Sequence, residues 1–243
     1  MAKTAGIILI GNEILSGKIT DANASFLCRE LRALGVEVRK ISVIPDEVDL
    51  IAAEVREFSE ALDVVFTSGG VGPTHDDVTM EGVARAVGTR VIRHPRLVAL
   101  LEGYYKGQVN EARLRLAEVP EGAELVSDGS LMFPAVTVRN VYILPGVPEI
   151  FRQKFEALKE RFRETPFHLA SVFVGIGEGT LADHLNALVA RHPGLMVGSY
   201  PEFSNPEYKV KVTLESKDVT LVDRAVADLL AGLPAGALIR VQR

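Results

Sequence analysis

One cysteine, Cys28, is all the thiol this 243-residue chain carries, so no disulfide can form within it and nothing points to secretion. It lies in an apolar helical pattern and reads as a small buried hydrophobe rather than a reactive thiol. Long hydrophobic runs are missing as well. The opening apolar run, residues 6–10, is too short for a signal core and far short of the about 20 residues a membrane span needs. It reads as a buried strand, and the cytoplasm is the expected location. Neither sign of charge dominates: 27 basic residues face 32 acidic ones, for a net charge of −5. That balance argues against non-specific nucleic-acid binding, which neutralises many phosphates at once. It leaves room for a small anion held by backbone N–H groups. His75 reads as an exposed loop residue, and His94, His168, His184 and His192 lack a His-x-x-x-His spacing and read as structural. A Gly-x-Ser-x-Gly elbow, a Walker loop and a Gly-x-Gly-x-x-Gly turn after the first strand are absent too. Their absence counts against a hydrolase triad, a P-loop NTPase and a simple NAD dehydrogenase.

What is present can bury a core: 47% of the residues are hydrophobic and 24% charged. The first half alternates strand and helix patterns. Residues 6–10 are an apolar run, and Ala24, Leu27, Leu31 and Leu34 then recur at helical spacing before Gly35, a C-terminal cap position. Strand-like 36–44, helix-like 50–58, strand-like 63–67 and helix-like 80–87, stopped at Gly88, follow in turn. Further on, 95–105 and 110–119 look helical, 136–144 looks like a hairpin turning at Arg139-Asn140, and 149–162 looks helical again. This order predicts an α/β fold: a three-layer arrangement with a mostly parallel sheet and helices on both faces. After Thr165-Pro166 the order becomes β-α-β-β-α-β, the ferredoxin-like pattern of a small α+β domain. The expected boundaries are 1–165 and 166–243. No internal repeat or low-complexity tract is visible.

Three loops could carry chemistry, all at strand-to-helix corners, where open α/β sheets bind ligands. The sharpest is Ser68-Gly69-Gly70-Val71-Gly72-Pro73-Thr74-His75-Asp76-Asp77-Val78-Thr79. Its glycines let the backbone take positive φ and approach a phosphate closely. Paired Asp76 and Asp77 would repel a bare phosphate; they suit a site where a divalent cation intervenes, or where one acts as a base. The competing reading is a tight turn with Asp77 or Thr79 capping the next helix. The second loop is Gly11-Asn12-Glu13, with Gly17, Asp21 and Asn23 after it; Asp21 could equally be a helix cap. The third, Pro145-Gly146-Val147-Pro148-Glu149, is by spacing only a turn with a good helix start.

Together these loops resemble the molybdopterin-binding-like family, in the branch formed by the N-terminal domain of CinA proteins. The match is carried by Gly11-Asn12-Glu13, Gly17, Asp21, Asn23, the segment 68–79 and Leu144-Pro145-Gly146-Val147-Pro148, and spans roughly residues 5–165. The string Asn110-Glu111-Ala112, the segment 119–125 and Val138-Arg139-Asn140-Val141-Tyr142 look closer still to the molybdopterin-binding-like region of eukaryotic FAD synthase. Ser68 stands where many members have threonine. The resemblance implies a metal-dependent pyrophosphatase that cleaves ADP-ribose or FAD to monophosphates. It implies Asp77, Asp76 and Glu13 as catalytic residues, with Asp77 and Asp76 as ligands of Mg²⁺, Mn²⁺ or Co²⁺ and K⁺ as a further cofactor candidate. The substrate would rest against Gly11, Asn12, Ser68, Gly69, Gly70, Gly72, Thr74, Asn23, Pro145 and Gly146. Neither a deamidase nor a FAD synthase domain follows before Arg243, so a stand-alone unit, with a separate chain supplying context, is the expectation. The alternatives are molybdopterin adenylyl transfer at the same loop, or a nucleotide- or pterin-binding module without turnover. The tail lacks a Gly-x-x-Gly loop and a basic stripe, so no nucleic-acid partner is expected. A homo-oligomer, a dimer, is expected from its sheet edges.

Overall fold

The computed structural model describes residues 3–243. It divides into two compact units, Met1–Glu164 and Thr165–Arg243. In the first, β1 (Thr4–Ile10), β2 (Glu37–Ile44), β3 (Val64–Ser68), β6 (Glu124–Val126), β7 (Ala135–Val138) and β8 (Val141–Leu144) form one six-stranded sheet, ordered β2-β1-β3-β8-β7-β6. β1 runs parallel to β2 and β3, and β3 to β8; β7 and β6 close the far edge antiparallel. The mostly parallel α/β sheet read from the sequence is therefore present. β1 and β3 are buried along nearly their whole length because both faces are covered, which is why they read as unbroken apolar runs.

Successive residues on a strand point to opposite faces, and each face has its own core. Ala5, Ile7 and Leu9 pack with Leu27 and Leu31 of α2 (Asn23–Ala33) and with Phe151 and Phe155 of α7 (Pro148–Leu158). Ile8 and Ile10 pack on the other side with Ile51 and Val55 of α3 (Val48–Ala61), Val83 of α4 (Thr79–Ala86) and Leu97 of α5 (Pro95–Tyr104). A 3-10 turn, Lys159–Phe162, follows α7 and tucks Phe162 against Phe66 and Tyr142. Cys28, on α2, is half-buried against the core beneath that helix, and burial chiefly pushes its thiol up, away from thiolate chemistry.

One expected element is corrected. The helical reading of 110–119 shrinks to α6 (Glu111–Arg115), and the chain then forms β5 (Glu118–Pro120), antiparallel to β4 (Val91–Arg93). Pro120 disfavours helical backbone at Val119, and burial of Val119 among Leu97 and Leu101 rewards the extended form. The short helix α1 (Asn12–Leu15) also occupies what looked like plain loop.

In the second unit β9 (His168–Val174), α8 (Glu178–Arg191), β10 (Met196–Pro201), β11 (Val210–Ser216), α9 (Val219–Gly232) and β12 (Leu238–Gln242) follow in order. Their sheet is β10-β11-β9-β12, antiparallel throughout, which is the ferredoxin-like arrangement. Leu181, Leu185 and Leu188 of α8, with Val222, Val226 and Leu229 of α9, cover one face of it.

Candidate functional site

Because β1, β2, β3 and β8 run parallel, their carboxyl ends share one edge of the sheet. Four connections leave from it: Gly11 after β1, Asp46 after β2, Gly69 after β3 and Pro145 after β8. The three loops singled out in the sequence thus meet in one cleft of about 540 Å³, lined by Glu13, Asn23, Ser68, the glycines and Pro73, Asp77 and residues 145–148.

The glycine loop is shaped by close approach. Gly69 has φ +106, and a Cβ there would overlap the Ile10 carbonyl oxygen. Gly70, at φ +60, leaves no room beside the Thr79 hydroxyl. Thr79 closes the loop: its hydroxyl donates to the Gly69 carbonyl (2.8 Å) and its N–H to that of Gly70 (3.1 Å). Neither Asp77 nor Thr79 caps α4 by its side chain, so the capping reading of this loop is overturned. The Gly69 N–H is taken by the Leu144 carbonyl (3.2 Å) and is not free for a phosphate. The N–H groups of Gly70, Val71 and Gly72 donate to nothing among the described residues.

Asn23 ties the three loops together. It is 3% exposed, and its Nδ2 donates to Ser68 Oγ and to the Gly146 carbonyl, both at 2.9 Å. Its Oδ1 is buried with no partner among the described residues, an acceptor that a bound hydroxyl would satisfy. A Cβ on Gly146 would stand 3.3 Å from the Gly69 Cα, which shows how tightly these two loops pass. Asp21 accepts from the N–H groups of Asn23 and Ala24, each at 3.0 Å, and so serves as a helix-start acceptor.

The carboxylates differ in their roles. Asp77 Oδ2 accepts from the Thr74 N–H (2.8 Å) and from its hydroxyl, which places the carboxylate against Gly72. Asp76 and His75 are exposed. Glu13 lines the cleft and reaches back over Gly11. The Asn12 side chain is exposed, and its N–H donates to Asp46 Oδ2 (2.9 Å). Asp46 was not singled out in the sequence. Burial chiefly raises its carboxyl, with Glu13, Asp76 and Asp77 adding like-charge repulsion against the Asn12 hydrogen bond. The available signal was its place: an acidic residue between a strand end and a helix, at the same sheet edge. Among the described residues no group of three or more His, Cys, Asp or Glu side chains is placed to hold a metal alone. Nor is any described helix long and apolar enough to cross a membrane.

The fold and site define an α/β protein with a glycine loop of unengaged N–H groups at the carboxyl edge of its sheet. The chain belongs to the family described as probable molybdopterin binding domain, whose model matches residues 6–164. A model described as FAD synthase, middle domain, matches residues 166–242. A protein of Archaeoglobus fulgidus is 40% identical, over 90% of this chain and 93% of its own length. A probable FAD synthase of Caenorhabditis elegans is 36% identical over 95% of this chain, which spans only 50% of that enzyme. Among solved structures, a CinA protein of unknown function from Thermoplasma acidophilum is 31% identical with a TM-score of 0.61. The likeness covers 67% of this chain and 100% of that one.

Proposed function

We propose that the chain is a metal-dependent pyrophosphatase that cleaves a dinucleotide-type substrate, ADP-ribose or FAD, into two monophosphates. The observation that carries this reading is the run of unengaged N–H groups at Gly70, Val71 and Gly72 beside the carboxylates of Glu13, Asp46 and Asp77. Backbone N–H groups suit phosphate oxygens, whereas the carboxylates repel them, and only a cation between the two reconciles both. The donors fit a hard divalent ion such as Mg²⁺, Mn²⁺ or Co²⁺, with K⁺ as an additional ion. Mg²⁺ commonly binds through one or two carboxylates plus substrate phosphates, so the lack of a three-ligand group is compatible with it. Asp77 and Asp76 would hold it, with Glu13 across the cleft. Bound there, the ion would supply charge neutralisation and a lowered pKa for a water.

The chain's own residues do the rest. Gly70, Val71 and Gly72 hold the non-bridging oxygens where charge builds up. Thr74 keeps Asp77 in place, and Asn23 with Ser68 holds the loop against Gly146. A water adds to one phosphorus as the bridging P–O bond breaks, giving AMP with ribose 5-phosphate, or AMP with FMN. A cytoplasmic location is in keeping with such substrates. The FAD synthase name borne by one relative and the match of the second unit support a flavin nucleotide in particular. A screen of ADP-ribose, FAD, NAD and CoA with each metal, read by released monophosphate, tests the reading. Release from at least one is expected. No release from any of them, with adenylylation of molybdopterin by ATP, would establish transferase chemistry instead.

A further inference from the structure

The glycine loop borders a second cleft. Gly70, Val71, Gly72 and Asp77 line the first cleft and also a neighbouring one of about 460 Å³, reached from the side of α4 and α6. The loop therefore stands as a ridge between two hollows. Three arginines line the second hollow: Arg85, Arg90 and Arg115. Two are neutralised. Arg85 pairs with Asp49 and Glu81, and Arg90 makes a two-point contact with Glu121 at 3.1 and 2.9 Å. Of the three acids lining this hollow, Glu81 is engaged with Arg85, Glu118 with Arg93 at 3.2 Å, and Asp77 with Thr74 at 2.8 Å. Arg115, half-buried at the end of α6, has no hydrogen-bond or ion-pair partner among the described residues. It is near enough to the glycine loop for its charge to act on Asp76.

A half-buried guanidinium without an anion forgoes the strongest hydrogen bonds available to it, and its planar fork matches a phosphate. The neighbouring unengaged N–H groups of Gly70, Val71 and Gly72 call for the same kind of ligand. We propose that Arg115 binds the pyrophosphate from the second cleft, which receives one arm of a two-armed substrate while the first cleft receives the other. This rests on the pyrophosphate reading above and explains why a phosphoanhydride joining two bulky groups suits this site: the ridge accommodates the bridge, and each hollow one arm.

The test is binding of α,β-methylene-ADP, a phosphoanhydride mimic that cannot be hydrolysed, to the full chain with Mg²⁺, measured by calorimetry. Arg115→Ala is expected to weaken binding tenfold or more, and Arg115→Lys to restore part of it. Arg161→Ala, outside both clefts, is expected to bind as the parent does. If Arg115→Ala melts early, Arg115→Gln, shorter than arginine but polar and uncharged, carries the same expectation. Parent-like affinity in the uncharged variants, or no binding by the parent, overturns the proposal. The two readings fail separately. Arg115-dependent binding with no hydrolysis of any dinucleotide leaves this inference standing and removes the pyrophosphatase. Hydrolysis with Arg115-independent binding does the reverse.

Discussion

At the scale of residues, Asp77 is where two jobs meet. Its carboxylate holds Thr74 through N–H and hydroxyl, and we assign it a metal as well. Asp77→Asn keeps a side-chain oxygen to accept from the Thr74 N–H, so the loop should survive, while the charge that holds a divalent ion is lost. Turnover should fall by orders of magnitude and recover in part at high metal concentration. Parent-like turnover at limiting metal would remove Asp77 from the catalytic set. Lys154 makes a different point. Its ammonium is half-buried beneath the loop that precedes β7 and donates to the carbonyls of Phe133 (2.9 Å) and Pro134 (2.6 Å). Burial lowers its pKa from 10.5 to about 8. The folded state thus releases this proton before the unfolded chain does. Between pH about 8 and 10.5 the unfolded state binds more protons, so Lys154 makes folding more favourable as pH rises. Relative to Lys154→Met, the parent should gain on the order of 1–3 kcal/mol across that window. Urea titrations of both at pH 7.5 and 10.5 measure it, and a constant difference would contradict the assignment.

At the scale of elements, the hairpin β7–β8 shows how one turn secures a helix. Asn140 donates to the carbonyls of Ser59 (3.0 Å) and Leu62 (2.9 Å) at the end of α3, and accepts from the Ser59 hydroxyl (2.5 Å). Helix ends leave carbonyls without intrahelical donors, and here the turn of the β7–β8 hairpin supplies them. Asn140→Ala should cost about 2 kcal/mol, because it strands half-buried acceptors as well as losing bonds. For a domain of this size that lowers the melting temperature by roughly 4–8 °C. An unchanged melting temperature would mean that water replaces the amide at no cost. The hairpin was readable from its β-branched alternation around Arg139-Asn140. Its tie to α3 was not, because 78 residues separate the Asn140 amide from Leu62. The error at 110–119 has the same origin. Locally the segment favours a helix, and what ends it is pairing of Glu118–Pro120 with Val91–Arg93, a contact no local pattern reports.

At the scale of the whole molecule, β12 is an edge strand whose five residues are all exposed, among them Leu238, Ile239 and Val241. Exposed apolar edges invite strand pairing, and we propose that the second units of two chains meet here as a dimer. Sedimentation at micromolar concentration should then give twice the chain mass of 26.3 kDa. A single species at the chain mass would dismiss the dimer. Replacing Ile239 by Lys should shift the equilibrium toward the single chain without unfolding it, since Ile239 is already 45% exposed.

The sequence by itself determined the layers of this protein. Apolar runs marked β1 and β3, 3.6-residue spacing marked α2 and α3, and the change of rhythm after Thr165-Pro166 marked the ferredoxin-like sheet, because each of these signals is a local consequence of burying one face. It also pointed to three loops, since Gly-rich strand-to-helix corners stand out by composition. Only the tertiary structure decided which of their groups face one another. Parallel pairing brings Asp46 beside Asn12 and Gly70, takes the Gly69 N–H for the Leu144 carbonyl, and leaves Arg115, beside the same loop, without an ion-pair partner among the described residues. These are contacts between residues far apart in the chain. Their energies depend on distance in space, and a linear pattern does not contain that distance.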